Sequence, residues 1–342
     1  MTPPRAVTFV VPEGVDDPAR VSGGNVFDLR VREGLAALGW KVPLVTATGE
    51  AAASALRTVE DGGLVLIDGL VAAHASEAVA VEAKRLRIVV LAHMDSTAFP
   101  DADAGAVEGE RRAFAAAARI VATSAWTARR LTESGTVGED AVVVAPPGAE
   151  EASAAEGTPE GTSFLCIGVV APHKGQDVLV DALAQLDAGA GWTCTIAGAL
   201  DVDPAFALAV ERRIDAAGIA GQVLLAGVLS GPSLDDAYHR ADLVVAPSRV
   251  ESYGMVVADA LRRGIPVIAS DVGGIPEATR TTSAATLVPP GDPAALADVL
   301  RSWMTDPDLR SRLTATARRD RLRVPGWNET AAHVAAALEE AR

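Results

Sequence analysis

The chain is short of cysteine, of positive charge and of long apolar runs, and each shortage removes a class of function. Only Cys166 and Cys194 occur in 342 residues. Both sit in apolar, strand-like runs, FLCIGVV and TCTIAG, which argues against a disulfide framework or a metal pair and for buried free thiols. Thirty Lys and Arg stand against 45 Asp and Glu, a formal charge of −15. Phosphate-backbone binding needs a basic surface, so nucleic acid is not the expected partner, although a small anionic ligand is compatible with positive groups gathered locally. No segment approaches about 18 uninterrupted apolar residues, which argues against a membrane span. The early run in MTPPRAVTFVVPEG is closed by Pro12 and Gly14 and reads as a strand rather than a signal peptide, and the expected location is cytoplasmic. No G-x-G-x-x-G closely follows a strand, no two histidines have metal-ligand spacing, and no G-x-S-x-G elbow is present. A dehydrogenase, a metal site and a serine nucleophile all lack their sequence signatures.

What is present is an alternation. Short β-branched runs, AVTFVV (6–11), GLVLIDG (63–69), RIVVLAH (87–93), RIVATS (119–124) and AVVVAP (141–146), are separated by alanine-rich helical stretches, the pattern of parallel sheets with helical crossovers. The segment EEASAAEGTPEGT (150–162) loses periodicity and has linker composition. Strands then restart at SFLCIGVV, WTCTIAG, QVLLAGV, DLVVAPS, PVIASD and TLVPP, with helices expected over 176–188, 204–217 and 254–263. Length alone favours two domains. The expected class is therefore α/β, with doubly wound, Rossmann-like domains over 1–155 and 156–325 facing across a cleft. A closing helix over 326–342 has Asn328 as a possible cap and Ala331, Val334 and Leu338 on its apolar face, and is expected to pack back on the first domain.

Ligands of open parallel sheets bind beyond the carboxyl ends of the strands, so the loops there carry the candidates. Gly23 and Gly24 precede a helix start, where they serve either as a flexible turn or as a close backbone approach to phosphate. His93 and Asp95 in AHMDS end a strand; the histidine is either a substrate contact or a hydrogen-bonded loop residue. Lys174 and Gly175 follow another strand, where the lysine either neutralises a phosphate or is solvated. Ser248, Arg249, Glu251 and Ser252 lead into a helix from about Gly254, whose start offers free N–H groups. Asp259 lies three and four residues before Arg262 and Arg263, the spacing of weak ion pairs on one helix face.

In order along most of the chain, SGGN, AHMD, TSAWTARRL, VVVAPPGAE, GVVAPHKG, ADLVVAPSRVESYGMVVADAL, GIPVIASDVGGIPE and LVPPGDPAALADVL resemble the retaining nucleotide-sugar glycosyltransferases of family 4, the group 1 glycosyl transferases with the GT-B fold. The resemblance implies transfer of a hexose from a nucleoside diphosphate sugar, UDP- or GDP-linked, to an acceptor hydroxyl, with no further cofactor. It implies that the diphosphate lies between the Gly23–Gly24 loop and Lys174, that His93 contacts sugar or acceptor, and that Glu251 holds sugar hydroxyls. Asp259 would take the ribose diol, Gly254, Met255 and Val256 would offer backbone N–H groups, and the loop from Gly227 to Leu229 would border the base. Two departures stand out. Asp259 replaces the usual glutamate, and Val169 stands where the family commonly has a phosphate-clamping arginine, leaving Arg249 as the expected compensating charge. The competing readings are an epimerase or phosphorylase of the same fold, and a nucleotide-sugar-binding protein that has lost turnover.

Overall fold

The strands are short and mostly buried on both faces, so each sheet must be covered by helices on two sides. The computed structural model describes residues 5–18, 21–99 and 102–342. It divides into two compact units, one running up to Gly148 and including Gly326–Arg342, the other Ala149–Pro325. Among the described residues no helix is long and apolar enough to cross a membrane.

In the first unit, β1 (Thr8–Val11), β2 (Leu44–Thr46), β3 (Leu64–Asp68), β4 (Arg87–Ala92), β5 (Arg119–Ala122) and β6 (Val142–Val144) form a sheet of order β2-β1-β3-β4-β5-β6. All its pairings are parallel. Its helices are α1 (Gly23–Ala37), α2 (Gly49–Thr58), α3 (Gly69–His74), α4 (Ser76–Glu82), α5 (Ala104–Ala116) and α6 (Ala125–Glu133). Strand alternation sends Phe9 and Val11 to one face, where they pack with Phe27, Val31 and Leu35 of α1 and with Val334 and Leu338 of the C-terminal helix Trp327–Glu340. Val10, Ile67 and Val90 face the other way, against Leu56, Val79 and Phe114.

The strand β2 has no counterpart in the sequence expectation. It is three residues long, follows Pro43 and is only half-buried, so KVPLVT lacks the continuous apolar run that marks the other strands. The C-terminal helix begins at Trp327 with Gly326 at its cap, so Asn328 lies inside the first turn rather than capping it. Its expected apolar residues Ala331, Val334 and Leu338 are buried. A Cβ on Gly34 of α1 would stand 2.4 Å from Ala331 Cβ, so glycine there is what lets the two helices meet.

The second unit holds β7 (Ser163–Ile167), β8 (Thr193–Ala197), β9 (Val223–Gly227), β10 (Leu243–Ala246), β11 (Val267–Ser270) and β12 (Ala285–Val288), ordered β12-β11-β10-β7-β8-β9 and parallel throughout. Helices α7 (Gln176–Leu183), α8 (Pro204–Ala216), α9 (Pro232–Arg240), α10 (Met255–Arg262), α11 (Ile275–Ala278), α12 (Pro293–Thr305) and α13 (Pro307–Asp320) cover it. Cys166 and Cys194 are free thiols in its core, beside Leu179, Val210 and Trp303.

Residues 150–162 are strapped to this unit. Ala155 N–H donates to Arg263 O at 2.8 Å, and the N–H groups of Glu156 and Gly157 donate to His239 O at 3.1 and 3.0 Å. Thr158 N–H and Ser163 N–H both donate to the Asp242 carboxylate, at 2.7 and 2.8 Å. Linker composition here hides an ordered segment because its partners are side chains and carbonyls distant in sequence. At the two crossings between units, Ala149 N–H donates to Pro325 O at 2.9 Å.

Candidate functional site

Each sheet has one place where the strand order reverses, and crevices open there beyond the strand ends. In the second unit that place lies between β7 and β10, which pair directly. After β7 the chain passes Gly168 and Val169 to a tight turn, Pro172–Lys174, and Gly175 at φ +69° starts α7. A Cβ on Gly175 would sit 2.1 Å from Pro247 O, so the two loops touch only because this residue is glycine. After β10 the loop 247–254 reaches Gly254, at φ +102°, and α10 begins with no side chain capping its first N–H groups.

These loops bring Lys174 Nζ to 2.7 Å from Glu251 Oε2, with Ser248 Oγ at 3.3 Å from the same oxygen. Both charged side chains are half-buried, 25% and 17% exposed. Burial would raise the Glu251 pKa, but the Lys174 charge and hydrogen bond outweigh it and hold the carboxyl below its usual range. Burial and the neighbouring Lys174 push His173 down to about 4, so it is neutral at pH 7. Gly273 and Gly274 back the loop from behind. A Cβ on Gly273 would lie 1.7 Å from Glu251 O, and Gly274 N–H donates to that carbonyl at 3.0 Å. Sequence reasoning gave these two glycines no part in the site; the signal was the pair itself, separated by two residues from the end of β11.

The other candidates on this unit are placed differently. Arg249 forms a two-pronged pair with Asp177, 2.8 Å on each arm, and also donates to Pro172 O at 2.7 Å. Asp259 accepts from Glu150 N–H at 3.1 Å and stands 3.8 Å from Arg263 Nη1, so helix pairing and strap anchoring are both real contacts. Ser252 is half-buried in the loop, and Met255 and Val256 form the open first turn of α10. Gly227, at φ +68°, ends β9 at the sheet edge and Leu229 follows it, with β8 between β9 and β7.

In the first unit the reversal lies between β1 and β3. Gly23 and Gly24 open α1, where Ser22 Oγ accepts from Asn25 N–H at 3.1 Å. A Cβ on Gly24 would reach 3.4 Å from His93 Cδ2, so the glycine start of α1 borders the histidine that follows β4. His93 Nε2 lies 2.9 Å from Asp28 Oδ1 and 3.1 Å from Asp68 Oδ2. Asp68 also caps α3, its Oδ1 accepting from Val71 N–H at 2.9 Å. Burial alone would lower the His93 pKa, but Asp28, and then Asp68, outweigh it and raise it to about 10. Burial in turn raises Asp28 to about 6, against the opposing pull of His93. These three residues place ligating atoms within 4.8 Å of one another, an arrangement that a cation could also occupy.

Asp95, which shares the AHMDS tip with His93, is drawn elsewhere, to Arg130 and to Thr97 N–H at 2.9 Å. Asp28 and Asp68 were missing from the sequence candidates. Asp28 is a lone acid beside Phe27 and Val31 on the buried stripe of α1, and Asp68 ends a strand, so the position of each was legible while its partner was not. A groove of about 830 Å³ on this unit, lined by Leu70, His74, Val81 and Arg112 among others, contains none of the candidates.

Comparison with known proteins follows the same division. The pattern of the family described as Glycosyl transferases group 1 matches residues 149–320, just over half of the chain. A D-inositol 3-phosphate glycosyltransferase of Jonesia denitrificans is 37% identical over 188 residues, 54% of this chain and 44% of that protein. One from Xylanimonas cellulosilytica is 31% identical over 245 residues, 67% of this chain and 58% of that protein. The chain thus spans about half the length of these curated relatives. Among solved structures, sucrose-phosphate synthase from Thermosynechococcus elongatus superposes with a TM-score of 0.80 at 20% identity, over 97% of this chain and 98% of that one. An Anabaena protein in complex with UDP and glucose gives 0.80 at 17% identity, over 98% and 99%. At these identities the likeness establishes the architecture, which is the GT-B fold.

Proposed function

The chain belongs to the group 1 glycosyl transferases, and from that premise we propose that it moves a hexose from a nucleoside diphosphate sugar, UDP- or GDP-linked, to an acceptor hydroxyl with retention at the anomeric carbon. The observation that carries this reading is the Lys174–Glu251 pair, set at the strand-order reversal beside the uncapped start of α10. A cation, a set of free N–H groups and a carboxylate at one place match the three needs of such a donor: charge on the diphosphate, hydrogen bonds to its oxygens, and an acceptor for sugar hydroxyls.

When donor arrives, Lys174 exchanges Glu251 for a phosphate oxygen and frees the carboxylate to accept from the sugar. The bond from the anomeric carbon to the diphosphate oxygen breaks, and negative charge grows on the leaving group. Lys174 and the N–H groups of Met255 and Val256 are prearranged for that charge. The acceptor oxygen bonds to the same face of the anomeric carbon and its proton passes to a departing phosphate oxygen. Two carboxylates hold His93 as an imidazolium, so it serves as a hydrogen-bond donor rather than as a base, which favours this front-face route over base-assisted inversion.

Binding without turnover is the second reading. Arg249 is already committed to Asp177 and the Asp259 carboxylate to Glu150 N–H, which reduces the groups available to donor. A thermal-shift panel of UDP, GDP and ADP, followed by UDP- and GDP-hexoses with acceptors that include inositol 3-phosphate, separates the cases. We expect one diphosphate to raise the melting temperature and its sugar to be transferred. No shift with any nucleotide refutes the donor site; a shift without transfer supports the second reading; donor consumed without acceptor or water addition points to an epimerase.

A further inference from the structure

We propose that Asp28 and Asp68 are positioning residues, which clamp His93 Nε2 between their carboxylates and so leave Nδ1 as the one ring nitrogen able to meet substrate. The proposal rests on the glycosyl-transfer reading above, in which His93 touches sugar or acceptor. Orientation of a histidine needs one partner; here two carboxylates from different elements converge on the same nitrogen, 2.9 and 3.1 Å away. Asp28, 1% exposed, comes from α1, and Asp68, 3% exposed, comes from the end of β3. Phe27, the neighbour of Asp28 on α1, presses edge-on against the imidazole at a centroid distance of 5.2 Å. The ring is therefore held by α1 at two points and by β3 at a third.

Nδ1 has no hydrogen-bond partner among the described residues and is not among the fully buried unpartnered atoms, so it keeps contact with the outside of the cluster. With two carboxylates on Nε2 and no other charged group acting on the ring, the imidazole carries both protons and Nδ1–H is a donor. Its partner must then offer a lone pair: a hydroxyl oxygen of sugar or acceptor, or a phosphate oxygen. A metal ion suits the cluster less well, because a metal-bound histidine ordinarily gives its other N–H to a protein acceptor, and Nδ1 has none here. One further atom fits the clamp. Asp28 Oδ2 is buried without a partner, a cost that is accepted where the other oxygen of the same carboxylate holds a functional side chain.

The test uses the full chain labelled at histidine nitrogen, with the His93 signals identified by their loss in His93→Gln. In the wild type we expect His93 to stay doubly protonated through pH 8. Asp28→Asn should lower its titration midpoint by about 1 to 3 pH units, and where the chain turns over should lower kcat about tenfold or more while donor KM changes less than about threefold. The kcat profile of that variant should gain a fall between pH 7 and 9 that the wild type lacks. Asp68→Asn also removes the α3 cap, so its melting temperature is read beside its titration. A wild-type His93 that titrates near its ordinary value overturns the proposal, as does a Zn²⁺ or Mn²⁺ titration that binds stoichiometrically and abolishes the His93 proton signals. The nitrogen spectrum needs no turnover, so an inactive wild type with a clamped imidazolium would fault the glycosyl-transfer reading and leave the clamp standing. If Asp28→Asn does not fold, the wild-type titration alone decides.

Discussion

Lys174 and Glu251 each compensate a charge that the other would leave stranded in a half-buried loop. Lys174→Met should lower the unfolding free energy by about 1 to 3 kcal/mol, because the remaining carboxylate is poorly hydrated. Lys174→Met combined with Glu251→Met should cost less than the sum of the single changes, a double-mutant cycle that urea unfolding can read. The pH sign follows from the depressed Glu251 pKa: its contribution is present above the ordinary carboxyl value of 4.5 and is lost as pH falls through the lower folded value. Lys174→Met should erase that acid-side dependence. Asp259 separates two contributions by substitution. Asparagine keeps an oxygen for Glu150 N–H and should leave stability nearly unchanged, whereas alanine should cost about 1 kcal/mol. A loss of nucleotide affinity in Asp259→Asn, measured by calorimetry, would assign the carboxylate a ribose contact as well.

The turns and helix contacts that hold these residues are set by particular glycines. Gly175→Ala introduces both a Cβ against Pro247 O and a side chain at φ +69°. We expect it to lower the melting temperature by several degrees and to weaken nucleotide binding, since the turn it distorts also carries Lys174. Gly34→Ala should destabilise by crowding Ala331, and Ala331→Gly in the same chain should restore part of the loss by returning the space, a rescue visible in thermal melts. Elements of this kind were largely legible. The strands declared themselves as β-branched runs, and Lys174 and Glu251 as polar residues just past strand ends. What was not legible depended on partners far along the chain. Asp28 meets His93 across 65 residues, and Thr158 in the strap at 150–162 is held by Asp242 across 84. Periodicity reports a residue's own helix or strand, and says nothing of which distant group arrives beside it.

At the scale of the molecule, proton linkage and the chain's path make predictions that no single contact does. Between pH 3.8 and about 6 the folded state holds a proton on Asp28 that the unfolded chain has released, and between 6.5 and about 10 it does so on His93. Stability therefore falls as pH rises through both windows, and His93→Gln should flatten the upper one in denaturant titrations. Removal of Gly326–Arg342 should expose Phe27, Val31 and Leu35. Hydrogen exchange should then quicken in β1 and β3 while β7 and β10 keep their protection. The hydrogen bond from Ala149 to Pro325 has a further consequence, one of timing. Because it joins the first and last residues of the second unit, that unit has all its parts as soon as Pro325 leaves the ribosome. The first unit, begun earlier, must wait with its apolar α1 face bare until the helix at Trp327–Glu340 emerges to cover it. The half of the chain made second is thus complete before the half begun first, whose core is closed only by the helix made last.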